Sequence, residues 1–461
     1  MKAWMRKPVV AWALYDWANS AFATTIMAGF FPVFFAALSA DLSDGDAQFW
    51  FTVTLAASSG LVAISAPILG AIADRGGSRK RFLATFAALG IIMSAALAWV
   101  GMGQWELGLL FYGLGTVGFS GANIFYDSML VDVAREEEYD QVSAFGYALG
   151  YVGGGILFAI NALMVSKPEL FGLADAGAAV KWSFISVGAW WALFTVPLLL
   201  AVKEAPTENK ATRLEAVGAG LEQLKGTFQE LRRLRILALF LVGYWLYIDG
   251  VNTVIKTAVF FADRILSLDS QVLLIALLVT QFVAFPAALF FGWLGNKIGP
   301  RRAILIGLGV YLGALFYAWA LLTESRDFFV LAVAIGLVQG GVQSLSRSLY
   351  ARIIPKSKTA EFFGFFNMVG KFASVLGPML MAGVPLLIAG ADERDSILSL
   401  GLLFIVGGFL LWRVDVEAGE RAADALEAEF AAELDADTQP GAVSESKADG
   451  AFGGNGDKGA S

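Results

Sequence analysis

The sequence predicts an all-α membrane protein of twelve transmembrane helices, and three observations carry that prediction. Of its 461 residues, 57% are hydrophobic and 16% charged, against roughly 45–50% and 25% in soluble domains. The mean hydropathy is +0.66. Apolar runs near the ~20 residues that a bilayer requires recur twelve times between Pro8 and Arg413.

In order, the predicted spans are 8–38, 49–73, 82–101, 105–131, 142–164, 181–202, 236–261, 270–294, 302–322, 328–353, 361–389 and 396–413. Lys2, Arg6 and Lys7 precede the first. That run far exceeds the ~7–15 residues of a signal-peptide core, so it reads as a retained span. The loops on one side, with the N-terminus and the long middle segment, hold 21 Lys/Arg. The loops on the other side hold five: Lys167, Lys181, Arg264, Arg326 and Arg394. Basic loops stay in the cytoplasm. Both termini are therefore expected there, in a bacterial cytoplasmic membrane.

The expected organisation is a six-helix bundle over 1–204, a cytoplasmic linker over 205–234, a second six-helix bundle over 235–414 and an acidic tail over 415–461. In the linker, Leu214, Val217, Leu221, Leu224, Phe228 and Leu231 recur at steps of three and four, one face of an amphipathic helix. The tail holds 12 Asp/Glu against 3 Lys/Arg, more than the whole net charge of −7. Its Gly-rich, polar end predicts a largely disordered segment.

The chain has no Cys and no His, which excludes disulfides, thiol chemistry and the usual zinc sites. No nucleotide loop, metal cluster or nucleophile–base motif stands in it. No enzyme activity, cofactor, metal or nucleic-acid partner is expected.

The two halves repeat each other. Gly70, Asp74, Arg75, Gly77, Arg79 and Lys80, after span two, align without a gap with Gly292, Asn296, Lys297, Gly299, Arg301 and Arg302, after span eight. This motif in a twelve-span context resembles the major facilitator superfamily over about residues 8–414. The resemblance implies two pseudo-symmetric six-helix bundles that rock about a central site. It also implies that Asp74 with Arg75 latches the cytoplasmic side, helped by Arg79, with Asn296, Lys297 and Arg301 as a weaker second copy. Asn296 replaces the acid, so the latch is expected to be asymmetric.

Three further stretches, Trp12–Ile26, Ser143–Gly155 and Ser344–Lys371, resemble the branch containing the autophagy-related vacuolar amino-acid effluxers and their bacterial relatives. That implies a transporter of small solutes, amino acids foremost. The Arg that many proton-coupled members carry in span four is missing, which leaves the coupling ion open between a proton, another ion and none.

Candidate binding residues come from polar groups in apolar spans. Trp12, Asp16, Asn19 and Ser20 match Trp245, Asp249, Asn252 and Thr253 at identical spacing. Each set lies on one helical face. An ionisable group in mid-membrane costs ~2.5–3.5 kcal/mol on insertion scales, so it needs a partner, a wet cavity or a proton. Bracing between helices and solute binding both satisfy that need.

Asn123, Gln339 and Gln343 add uncharged polar groups in spans four and ten, and Gln281 and Asn367 stand behind them. Lys371 lies ~15 Å into span eleven by helical rise, where snorkelling is difficult. Lys256 is expected to snorkel outward, and Arg347 to act as an interfacial anchor or gate residue. The acidic loop Asp132–Asp140 is expected to pair with Arg75, Arg79 or Arg352.

The function expected is secondary active or facilitative transport of a small polar solute. An amino acid fits with its ammonium on Asp249 or Asp16 and its carboxylate on Lys371. Rivals are an exporter of amphipathic, drug-like compounds, suggested by 37 Phe and 13 Trp, and a membrane sensor or adaptor acting through the tail. The expected partners are the solute, the coupling ion and the lipid bilayer, with the monomer as functional unit.

Overall fold

The computed structural model describes residues 3–76, 79–204, 230–231, 233–266, 268, 270–387 and 393–438. Twelve helices among them are long and apolar enough to cross a membrane. They are α1 Lys7–Leu38, α2 Gly45–Gly76, α3 Arg79–Trp99, α4 Trp105–Val133, α5 Glu136–Ser166 and α6 Ala176–Ala201. The second set is α7 Arg235–Thr257, α8 Val272–Ile298, α9 Pro300–Leu321, α10 Ser325–Arg352, α11 Lys356–Leu387 and α12 Arg394–Arg413. Each answers one apolar run of the sequence. The outer surface is apolar: Leu200, Leu386 and Leu387 are 80%, 86% and 87% exposed, an arrangement that suits lipid rather than water.

Two spans depart from a regular helix. In α1, Phe22–Phe30 is wound as a π-helix ahead of Pro32, a widened turn of the kind found at functional sites. In α11, the helix Thr359–Phe372 stops and a second one, Leu376–Leu387, begins. Pro378 falls in the first turn of that second helix, where its missing N–H costs no intrahelical bond. Gly299, between α8 and α9, has φ +89°, a turn that favours glycine.

Within the first half, α1 packs on α5 and α6, and α4 on α2 and α3. Within the second, α7 packs on α12, and α10 on α8 and α9. The halves meet mainly where α2 lies on α11 and α5 on α8, two pairings related by the internal repeat. At both, a repeat glycine permits the approach. A Cβ on Gly70 would fall 2.3 Å from the Ala360 carbonyl oxygen, and one on Gly292 would fall 2.5 Å from Ala144 Cβ. These contacts sit at the end of the molecule that carries the basic loops.

The tail opens as a helix, α13 Val416–Thr438, in its Ala/Glu-rich first part. Ala423 and Leu426 bury one side of it, at 2% and 5% exposed. Glu427 accepts hydrogen bonds from Ser357 N–H and Oγ at 3.1 and 2.9 Å, and Lys358 Nζ lies 3.7 Å from the Phe430 ring. Most of the predicted linker, 205–229, lies outside the described residues.

Candidate functional site

At the centre of the closed end is Arg347 on α10, 1% exposed. Its Nη1 donates to Asp127 Oδ1 on α4 at 2.9 Å. Its Nε and Nη2 donate to the hydroxyl and carbonyl oxygens of Ser143 on α5, each at 2.9 Å. The guanidinium also faces the rings of Tyr147, Trp12 and Tyr126, at 4.5, 4.9 and 5.3 Å. A planar cation with five donors suits such a cage better than an ammonium would. Asp127 takes a second donor, Asn367 Nδ2 of α11, at 3.2 Å. One cation therefore joins three helices of the first half to the second, and no anchor in the membrane interface is needed to explain it.

Toward the basic loops, further cross-links follow. Asp140 accepts from Ser348 Oγ and from Arg352 Nη2, the latter at 3.3 Å. Lys356 pairs with Glu136 at 3.0 Å, and Arg6 pairs with Glu138 within the first half. Arg79 pairs with Asp132 at 3.2 Å and lies 3.9 Å from Asp74. The acidic loop thus meets Arg79 and Arg352, two of the three partners that its charge suggests.

Asp74 accepts the backbone N–H groups of Ala360 and Glu361 at 3.1 and 2.8 Å. It caps the start of the partner half's α11, where helix dipole and unsatisfied donors favour an anion. Arg75 ends α2 exposed. The second copy is placed differently. Asn296 is exposed, Lys297 Nζ lies 5.0 Å over its own helix neighbour Trp293, and Arg301 donates to the Val414 carbonyl. An amide in the acid's place supplies no charge for a helix start to attract.

The matched polar stripes diverge. Asp249 on α7 is 0% exposed and fills the break in α11. Its Oδ2 accepts from the N–H groups of Val375 and Leu376 at 3.1 and 2.9 Å. Its Oδ1 accepts from Gly377 N–H at 2.8 Å and Thr253 Oγ1 at 3.2 Å. Asn252 donates to the Ala373 carbonyl at 2.8 Å, and Lys256 to Ser374 Oγ at 3.1 Å. Asp249, Asn252 and Lys256 of α7 therefore engage the backbone groups and the serine at the break, as buried polar groups in a membrane must be satisfied. Lys256 is exposed, as a snorkelling lysine would be, and from there it reaches Ser374.

In α1 the stripe meets its own half. Asp16, part-exposed, accepts from Tyr126 Oη at 3.2 Å. Asn19 donates to Asn123 Oδ1 at 2.6 Å. A Cβ on Gly150 would lie 2.7 Å from Ser20 Oγ, so the glycines of α5 allow this close packing. Between the halves, Gln281 donates to Thr24 at 2.8 Å and Tyr151 to Gln343 at 3.4 Å, while Gln339 on the same helix is 8% exposed. Lys371 is part-exposed, one turn beyond Asn367, with no hydrogen bond or ion pair among the described residues. No group of three or more acidic side chains in metal-holding proximity occurs among the described residues.

A family model described as "Vacuole effluxer Atg22 like" matches residues 47–424. The chain belongs to the Atg22-like family. YxiO of Bacillus subtilis, an MFS-type transporter, is 38% identical over 405 residues, covering 87% of this chain and 93% of YxiO. Autophagy-related protein 22 of Yarrowia lipolytica is 27% identical over 314 residues, covering 62% of this chain and 52% of the fungal protein. The chain thus matches about half the length of that relative.

Among solved structures, the major facilitator transporter FucP in its outward conformation superposes with a TM-score of 0.66 at 12% identity, covering 90% of this chain and 100% of FucP. The proton:xylose symporter XylE superposes at 0.65 with 15% identity, covering 88% of this chain and 94% of XylE. At these identities the likeness is one of fold. This Atg22-like protein is a multi-pass membrane transporter of the major facilitator type.

Sequence reasoning missed the Arg347 cage. The signal was an arginine and an aspartate, Arg347 and Asp127, each inside an apolar span. The Asp74 cap yields a prediction for this Atg22-like transporter. Asp74→Ala should weaken the closed end by about 0.5–2 kcal/mol, the worth of a helix cap, shifting the population several-fold toward opening. The chain has no native cysteine, so labelling of Gln141→Cys at the α5–α8 seam reads the change directly. An unchanged labelling rate would show that Asp74 is no latch.

Proposed function

We propose that the protein moves a small, polar, carboxylate-bearing solute, with an amino acid the best fit, by secondary active or facilitated alternating access. The basic loops and both termini face the cytoplasm, and the described state is closed on that side. The single observation that carries the solute class is Lys371, a cation in a membrane helix without a bonded counter-ion, where an intramembrane charge marks a substrate path. Asp249 is engaged by three backbone N–H groups of the α11 break and by Thr253 of its own helix, so in this reading Asp16 is the acid that meets an ammonium. Asn19, Asn123, Gln339 and Gln343 line the path between them, and Asp74 with Arg79 holds the gate. Residues from both halves complete the path, which supports the monomer as the working unit. The family description supports efflux as the direction.

Counterflow in proteoliposomes, screened over amino acids and organic acids, tests the reading. Wild-type protein should exchange at least one carboxylate-bearing solute, and Lys371→Met should raise its half-saturating concentration tenfold or more. Exchange of hydrophobic cations in place of carboxylates would overturn the solute class.

A further inference from the structure

The groups around Arg347 divide unequally between the halves. Trp12 of α1, Tyr126 and Asp127 of α4, and Ser143 and Tyr147 of α5 all belong to the first half, and the cation they enclose comes from the second. The enclosure is held together without its occupant. Trp12 stacks on Tyr126 with ring centroids 4.5 Å apart, and its Nε1 donates to the Tyr126 carbonyl at 2.9 Å. Tyr126 Oη donates to Asp16 Oδ2 at 3.2 Å, which puts a second carboxylate behind the rings. Gly146 seats both rings on α5, since a Cβ there would fall 2.8 Å from Tyr126 Oη and 2.9 Å from Trp12 Cζ3. Each of these contacts lies within the first half.

Parting of the halves therefore withdraws the cation and leaves the enclosure behind. Asp127 loses Arg347 from one oxygen and Asn367 of α11 from the other. Ser143 loses the guanidinium and also the Ser344 carbonyl, to which its hydroxyl donates at 2.7 Å. What remains is a carboxylate with both oxygens released, a hydroxyl, a carbonyl and three ring faces. A buried carboxylate stripped of its partner is strongly unfavourable, and aromatic faces arranged around it attract an organic cation. Arg347 thus stands where a ligand would, tethered to the opposite half.

We propose that Trp12, Tyr126, Tyr147 and Asp127 form a cation site that Arg347 fills while the basic-loop end is closed and that the ammonium group of the solute fills once it opens. The inference rests on the transport reading above and deepens it, making solute and Arg347 competitors for one station at that end of the path. Closure returns Arg347 to Asp127 and drives the ammonium on to Asp16, the carboxylate that Tyr126 links to the same enclosure. A solute without a cationic group has no means of compensating Asp127 when Arg347 leaves.

Chemical rescue tests the site on the full-length protein in detergent. In Arg347→Ala, millimolar ethylguanidinium should raise the melting temperature in a concentration-dependent way, as a ligand of the folded state does. Its neutral isostere ethylurea should not, and neither should potassium chloride at the same concentration. Adding Asp127→Asn to Arg347→Ala should remove the response. An equal shift by ethylurea or by potassium chloride, no shift with ethylguanidinium, or an unchanged shift in the double variant overturns the proposal. A second measurement uses the wild-type protein and stands even if Arg347→Ala does not fold. In counterflow, L-alanine and L-phenylalanine are each compared with the deaminated acid, propionate and 3-phenylpropionate. The amino acid that exchanges should do so at a half-saturating concentration at least tenfold below that of its deaminated partner. Equal exchange of the deaminated acids overturns the ammonium station and leaves the transporter of carboxylate-bearing solutes standing. No exchange of any amino acid or organic acid overturns that transport reading, and the solute's claim on the enclosure with it.

Discussion

Arg347→Met should abolish solute flux and lower the stability of the folded protein by about 3–5 kcal/mol, the cost of leaving one member of a buried ion pair alone. The substitution strips Asp127 of its charged partner, leaving Asn367, and empties the space between Trp12, Tyr126 and Tyr147. The double variant Arg347→Met with Asp127→Asn removes both charges. It should recover most of the stability, because paired removal avoids the uncompensated charge. It should not recover flux, since the element that joins α4 and α5 to α10 is gone. Unfolding in detergent and counterflow in vesicles read the two effects separately. If the single variant is as stable as the wild type, the pair contributes nothing to the closed state.

Asp249→Ala should cost at least about 3 kcal/mol, because three backbone N–H groups lose the charged acceptor that a fully buried carboxylate gives them. Asp249→Asn keeps an acceptor oxygen and should lose less. Gly377→Ala should be at least as damaging as Asp249→Asn, as its Cβ would fall 2.1 Å from Thr253 Oγ1. A bracing role and a solute-binding role separate cleanly in this series. Bracing lowers the melting temperature in parallel with flux. A direct contact with solute would raise the half-saturating concentration of Asp249→Asn and leave its melting temperature unchanged.

The twelve spans were legible because apolar length is a local property, and so was the internal repeat. The pairing of Asp16 with Asp249 was legible as a pattern, but the pattern does not fix what each stripe meets. Identical spacing on α1 and α7 puts each stripe on one face, but what that face meets depends on the neighbour. For α1 it is the glycines of α5 and Asn123 and Tyr126 of α4. For α7 it is a gap in the backbone of α11. Ser374, Gly377 and Pro378 hint at that gap, though serine, glycine and proline are tolerated within many membrane helices. Arg347 was legible as an anchor or gate residue, but not as the centre of a buried cage. Its sequence distance from the end of α10 suggests a side chain that reaches the interface, and only the packing of the opposite half encloses it.

The glycine contacts between the halves have a consequence for the course of opening. At Gly70 the chain backbones of α2 and α11 nearly touch, and a Cβ on Gly364 would lie 2.6 Å from the Ala66 carbonyl oxygen. Dispersion contacts of this kind forfeit a quarter to a half of their strength over roughly the first 0.5–1 Å of separation. Charge pairs such as Lys356 with Glu136 weaken only gradually with distance. The free-energy profile for parting the two halves is therefore steep at the start and shallow afterwards. The steep part fixes how often separation begins, and it is insensitive to salt. The shallow part is screened by salt, so ionic strength should govern how long the parted state lasts far more than how frequently it is reached.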